Sequence, residues 1–171
     1  MHTYTRRTRI DAPLEDVWAF HSRIEGLTAV TPNWMGLRVE RVVGPDGAAD
    51  PPELLTGCRI RMSVRPFGIG PRQRWVARIV ERTREEGRAQ FVDIMEEGPF
   101  ARWKHPHQFF ADGEQTVLVD RVEYELPVAD VLGPLAIVGF EPTYRYRHRA
   151  LKRHLSSGSV GTTSQGESDA D

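Results

Sequence analysis

Four ionisable residues sit where they could do chemistry together: Asp93, His105, His107 and Asp120. Asp93 lies in Phe91-Val92-Asp93-Ile94-Met95, and the histidines lie in Trp103-Lys104-His105-Pro106-His107-Gln108-Phe109. Alternate residues of a strand point to the same face. One face therefore carries Phe91, Asp93 and Met95, then Trp103, His105, His107 and Phe109. Aromatic surface with a few fixed polar groups is the lining of a small-molecule pocket.

Strand pairing can be estimated from the turns between these segments. Asp112-Gly113 reads as the centre of a two-residue hairpin. That count sets Phe109 opposite Thr116, His107 opposite Leu118, His105 opposite Asp120 and Trp103 opposite Val122. A turn near Gly98-Pro99 sets Met95 opposite Trp103, Asp93 opposite His105 and Phe91 opposite His107. Together they put His105 between two carboxylates, which would raise its pKa and could make it cationic.

Three uses of such a row stay open at this point. It can be a satisfied polar network that fixes the strands in register. It can grip the polar end of an otherwise apolar ligand. It can also be an acid/base set, with His105, Asp120 and Asp93 as the candidates. The His-x-His spacing could offer two imidazoles to one ion, with Asp93 or Asp120 as a third ligand. The pair is short, Pro106 intervenes and aromatics flank it, so neither a metal nor another cofactor is expected.

The elements that must hold these residues can be read in order. Residues 3–11 form a strand with Tyr4, Thr8 and Ile10 on one face. Asp11 is placed to cap a helix, with Pro13 in its first turn. Leu14, Val17, Trp18, His21 and Ile24 recur at helical spacing, and Gly26 should stop that helix. A second short helix or turn ends at Pro32. A strand over Leu37 to Val43 precedes a loop dense in Gly and Pro. Cys58, Ile60, Met62 and Val64 then alternate with Arg59, Arg61, Ser63 and Arg65, which marks a strand with one face inward. Trp75, Ala77 and Ile79 mark the next strand. The Asp93 and His105 strands follow, and Thr116 to Leu126 is the last, with Leu118, Asp120, Val122 and Tyr124 on one face.

A helical region is expected from about Val131 to His154, with Phe140, Tyr144, His148 and Leu151 sharing a face and Pro142 either kinking it or marking its start. His21 and His148 lie on apolar helix faces and read as core or rim residues. Trp34 reads as a lid or as local packing. Residues 156–171 hold almost nothing apolar and are expected to be disordered, leaving 1–155 as one domain. The architecture is α+β: a curved antiparallel sheet of six to seven strands around a long C-terminal helix, with one or two short helices after the first strand. A cavity between sheet and helix would hold a ligand.

The totals narrow the function classes. With 171 residues the chain is long enough to bury a core without staples. Its 23 basic and 24 acidic residues leave a net charge of −1, no electrostatic footprint for nucleic acid. Cys58 is the single cysteine, which excludes an intramolecular disulfide and a four-cysteine zinc site. The longest apolar run, Leu135 to Phe140, is too short to span a bilayer, and Met1 to Arg7 lacks the apolar core of a secretory leader. A cytoplasmic location is the expectation. No phosphate-binding glycine loop, serine nucleophile elbow or His-Glu-x-x-His helix is present.

Several motifs resemble those of the polyketide cyclase/START-like superfamily, also called SRPBCC or Bet v 1-like. They are Ile10-Asp11-Ala12-Pro13-x-x-x-Val17-Trp18, Phe91-x-Asp93, Gly98-Pro99-Phe100, Trp103-x-His105-x-His107-x-Phe109, Asp120-x-Val122-x-Tyr124-x-Leu126-Pro127 and Tyr146-Arg147-His148-Arg149-Ala150-Leu151. The likeness spans residues 3–155 and is closest to bacterial and archaeal ligand-binding members. It implies a helix-grip fold with an apolar cavity, and says little of the substrate. The first reading is binding or transport of a lipid, quinone or polyketide-like compound without catalysis. The alternative is an aromatic polyketide cyclase/dehydratase. Expected cavity residues are Met62, Trp75, Phe91, Met95, Trp103, Phe109, Tyr124 and Phe140, with Asp93, His105, His107 and Asp120 fixing a polar group.

Overall fold

In the computed structural model, residues 1–127 and 137–158 are described. The strands are β1 (His2–Ile10), β2 (Arg38–Val43), β3 (Arg59–Val64), β4 (Gln73–Glu85), β5 (Arg88–Glu97), β6 (Arg102–Asp112) and β7 (Gln115–Glu125). Helices α1 (Leu14–His21) and α2 (Ile24–Val30) follow β1, and α3 (Ile137–Gly158) closes the described chain. All seven strands join one antiparallel sheet in the order β1-β7-β6-β5-β4-β3-β2. This is the helix-grip arrangement expected from the sequence. The first part of the expected last helix, and residues 159–171 of the polar tail, lie outside the described residues.

Apolar alternation decides which face turns inward. Ile60 and Met62 of β3, Ala77 and Ile79 of β4, and Phe109 of β6 are buried. Leu118, Val122 and Tyr124 of β7 are buried too, and the arginines of β3 stay exposed. Three apolar clusters result. One joins α1 and α3 to the sheet through Val17, Trp18, Phe109, Leu118 and Leu151. A second fills the β2–β4 end around Cys58, Ile60 and Ile79. A third gathers Tyr4, Val122, Tyr124 and Tyr144. Burying each such large side chain contributes about 1.5–3 kcal/mol. Register shifts in the β4–β5 pair, between Val76 and Ala77 and between Ile79 and Glu81, mark irregularities of the kind that bend a strand and increase its twist.

Three expectations about the helices are corrected. Asp11 does not cap α1; Pro13 holds the N-cap position without a side-chain bond, its carbonyl accepts from Asp16 and Val17, and Asp11 accepts instead from the Gln115 amide. Gly26 does not stop α1, which ends at His21 with Ser22 as its C-cap. It lies inside α2, where a Cβ would fall 2.1 Å from the Phe20 carbonyl oxygen, so only glycine lets α2 fold back this closely on α1. Pro142 lies inside α3, which already runs from Ile137, so the reading of it as the helix start does not hold.

A fourth correction bears on the site. The β6–β7 turn centres on Gly113-Glu114, with φ +61° at Gly113, and Asp112 pairs with Gln115. A glycine first in a two-residue turn suits the twist of a hairpin. Every β6 residue therefore faces a partner two places from the expected one: Phe109 faces Leu118, His107 faces Asp120 and Trp103 faces Tyr124. A shift of two preserves the inward face. The β5–β6 register is as expected, with Phe91 opposite His107 and Asp93 opposite His105.

Candidate functional site

A cavity of about 470 Å³ lies between the concave sheet and α3. Its walls come from α2, β3, β4, β5, β6 and α3. Of the residues expected there, Met62, Trp75, Phe91, Met95, Trp103 and Phe140 line it, together with Asp93, His105 and His107. Phe109, Tyr124 and Asp120 are not in its lining. Phe109 and Tyr124 are fully buried in the apolar clusters to either side, and Asp120 stands behind the histidines. Trp34 lines the cavity and stacks on Phe67, with ring centroids 5.0 Å apart.

The ionisable row forms a closed network. Asp120 Oδ1 lies 3.1 Å from His105 Nε2 and 2.8 Å from His107 Nδ1. Its other oxygen lies 2.5 Å from His148 Nε2 on α3. Asp93 Oδ2 lies 3.0 Å from His107 Nε2 and 3.7 Å from His105 Nδ1. Each imidazole therefore presents one nitrogen to Asp120 and the other toward Asp93. The rings of His105 and His107 pack at 3.7 Å, and Phe91 stacks on His107 at 4.1 Å. The Tyr144 hydroxyl sits 3.4 Å from both nitrogens of His105.

Burial is nearly complete, with His105, His107, Asp120 and His148 all 3–5% exposed. Burial acts first on each group, and the contacts decide the outcome. It would push the Asp120 carboxyl up, but hydrogen bonds from His105, His107 and His148 hold it well below the usual carboxylate range. Asp93 is held low in the same way, chiefly by His107. Burial and the neighbouring charge of His107 push His105 down, against the pull of both carboxylates. For His107, burial is outweighed by its bonds to Asp120 and Asp93, and its pKa rises. The expectation of a raised His105 is thus reversed. The register puts His107, not His105, directly across from Asp120, and one cation in so small a space disfavours a second.

Sequence reasoning misses the part that α3 contributes. His148, read as core or rim, closes the network from behind, and Tyr144 covers His105 from the cavity side. Both stand on the apolar stripe with Leu151, at helical spacing, so their inward orientation is legible. What they would meet is not. Arg147 also reaches the cavity wall, with its guanidinium 5.6 Å from the Tyr144 ring.

The arrangement can bind an apolar body, donate or accept hydrogen bonds at one wall, and hold a proton or cation between Asp93 and the two imidazoles. Solved structures of similar fold include a Thermus thermophilus protein at 22% identity and TM-score 0.64, covering 92% of this chain and 99% of that one. A START superfamily protein from Mycobacterium smegmatis matches at 16% identity and TM-score 0.60, over 92% and 99% of the two chains. Norcoclaurine synthase from the plant Thalictrum flavum, solved as a point mutant with a transition-state analogue, matches at 16% and 0.62, over 92% and 96%. At such identities the likeness establishes the fold alone. No curated protein matches the sequence. Among the described residues no helix is long and apolar enough to cross a membrane. The family model described as polyketide cyclase / dehydrase and lipid transport matches residues 10–150, most of the sheet, the network and much of α3, and the chain belongs to that family within the SRPBCC superfamily.

Proposed function

We propose that the chain binds a hydrophobic small molecule in the cavity, with the ligand's polar group against Asp93, His105 and His107. One observation carries this reading: a cavity of about 470 Å³ has apolar and aromatic walls, and its buried ionisable groups converge on one side. Pockets of this size and lining hold single small ligands, oriented by a few polar contacts. The family description, which includes lipid transport, supports the same reading.

A cyclase/dehydratase activity is the second reading. Two imidazoles, each bonded to a carboxylate and lining the cavity, form the geometry of a general acid/base pair. The family description names cyclases and dehydrases, and norcoclaurine synthase shares the fold.

Native mass spectrometry of gently purified full-length protein, followed by solvent extraction, tests the binding reading. The expected result is one apolar adduct per chain, or uptake of anilinonaphthalenesulfonate at one site by an empty chain. A protein that carries no adduct and takes up no apolar probe overturns it.

A further inference from the structure

We propose that Asp93, His105 and His107 form a binding site for one divalent first-row transition cation, with Asp120 as the positioning residue behind it. The three ligands are two imidazole nitrogens and one carboxylate oxygen, a donor set suited to iron, cobalt, nickel or zinc. One donor atom from each lies within 4.8 Å of the other two. Asp93 Oδ2 is 3.0 Å from His107 Nε2 and 3.7 Å from His105 Nδ1. Metal bonds of about 2.1 Å in a tetrahedral site would set such donors about 3.4 Å apart, so small side-chain rotations suffice.

The geometry behind the ligands separates this site from an ordinary polar network. A metal-bound imidazole almost always donates its second ring N–H to a carboxylate or carbonyl, which fixes the tautomer and aims the ring. Here a single oxygen of Asp120 accepts from His105 Nε2 at 3.1 Å and lies 2.8 Å from His107 Nδ1. With a cation bound on the Asp93 side, this would hold the two rings in opposite tautomers. Each turns its other nitrogen, Nδ1 of His105 and Nε2 of His107, to the same carboxylate, Asp93; Nε2 of His107 donates to it at 3.0 Å, and a cation would take the place of that proton. His148 binds the other oxygen of Asp120 and ties the arrangement to α3. Asp93, His105 and His107 line the cavity. A cation on these three would keep its remaining coordination positions on the open side, facing whatever occupies the apolar space.

The site stands apart from the identity of the cavity ligand, and cobalt(II) alone is a sufficient probe. Full-length protein, stripped with chelator and dialysed, is titrated with cobalt chloride and followed by visible absorption and proton NMR. The expected result is one equivalent bound, with d–d bands. Two hyperfine-shifted exchangeable protons should also appear, from His105 Nε2 and His107 Nδ1. Asp93→Asn, the least buried of the group, should weaken binding at least about tenfold, and Asp120→Asn about 10–100-fold with unchanged stoichiometry. Circular dichroism establishes that each variant is folded. The proposal falls if the wild-type chain takes up no stoichiometric cobalt. It falls equally if bound cobalt shifts no exchangeable imidazole protons, or if a folded Asp93→Asn chain binds as tightly as wild type. None of these outcomes changes apolar-probe uptake by the stripped protein, so the cavity reading is judged separately.

Discussion

His107 and Asp120 face each other directly across β6 and β7, and Asp120 Oδ1 approaches His107 Nδ1 to 2.8 Å. This pair is the centre of the network, because the same carboxylate also takes His105 and His148. Removing one partner of a buried charge pair costs far more than the pair's net worth, since the other is left unpaired. Asp120→Asn should lower unfolding stability by about 3 kcal/mol near neutral pH. The exposed Arg9–Asp112 pair sets the contrast: Asp112→Asn should cost about 1 kcal/mol or less. Urea unfolding midpoints at unchanged m-value measure both, and equal losses would contradict the role given to Asp120.

The cavity makes a distinction between two buried alanines. Ala77 on β4 lines the open space, and Ala89 on β5 is packed in the α1 cluster at 1% exposure. Ala77→Leu fills space that is already free and should change stability by less than about 1 kcal/mol. Ala89→Leu forces extra methylenes into a close-packed region and should cost about 1–3 kcal/mol. Only Ala77→Leu should reduce uptake of anilinonaphthalenesulfonate. Undiminished uptake by a folded Ala77→Leu chain would place the probe elsewhere.

Much of this arrangement is written in period-two alternation. The inward set of β5 and β6 is correct because a strand's faces depend only on parity, and the register at Gly113 differs from the expected one by an even number of residues. Partner identity is not protected in this way. Whether Asp112-Gly113 or Gly113-Glu114 forms the turn decides which histidine meets Asp120, and both read as plausible turn dipeptides. Phe109 and Tyr124 show a second limit. Their inward faces are legible, but Phe109 lies where α1 and α3 both meet the sheet and Tyr124 where Tyr4 and Tyr144 cover it, so both pack in core rather than at the cavity. Bulges that bend β4 against β5 have no local signature here beyond ordinary strand residues. The link from α3 to Asp120 depends on tertiary placement, and no periodicity within one segment reveals it.

Helix α3 is also clasped to the edge strand β1. The Tyr4 hydroxyl donates to Glu141 Oε2 at 2.7 Å, and Arg6 binds the other oxygen. Burial first, and then the Glu141 carboxylate, push the Tyr4 phenol from 10.0 up to about 12. Glu141→Gln removes the anion but not the burial. The Tyr4 pKa should therefore fall without reaching the ordinary value, as followed by the phenolic carbon in NMR. Because Glu141 is half exposed, the same change should cost about 1 kcal/mol or less. A Tyr4 pKa unaltered in the variant would mean that burial alone sets it.

His21 provides the acid limit of stability. It packs between Phe20, Phe91 and Phe109, and its Nδ1 donates to the Val17 carbonyl at 2.8 Å. Burial pushes its pKa from 6.5 down to about 4, with the Val17 carbonyl opposing in part. The unfolded chain therefore takes up a proton near the ordinary histidine value, while the folded chain stays neutral until about pH 4. In that window the unfolded state binds more protons, so stability rises with pH. The contribution is full above the unfolded value, is lost as pH falls from about 6.5 to about 4, and changes no further below. His105, also pushed down by burial, adds to the slope in the same direction. His21→Gln keeps an N–H donor and removes the titration. Its melting temperature should fall less steeply than wild type across this window, with the His105 share remaining. Parallel curves for the two proteins would show that His21 is not held neutral in the folded state.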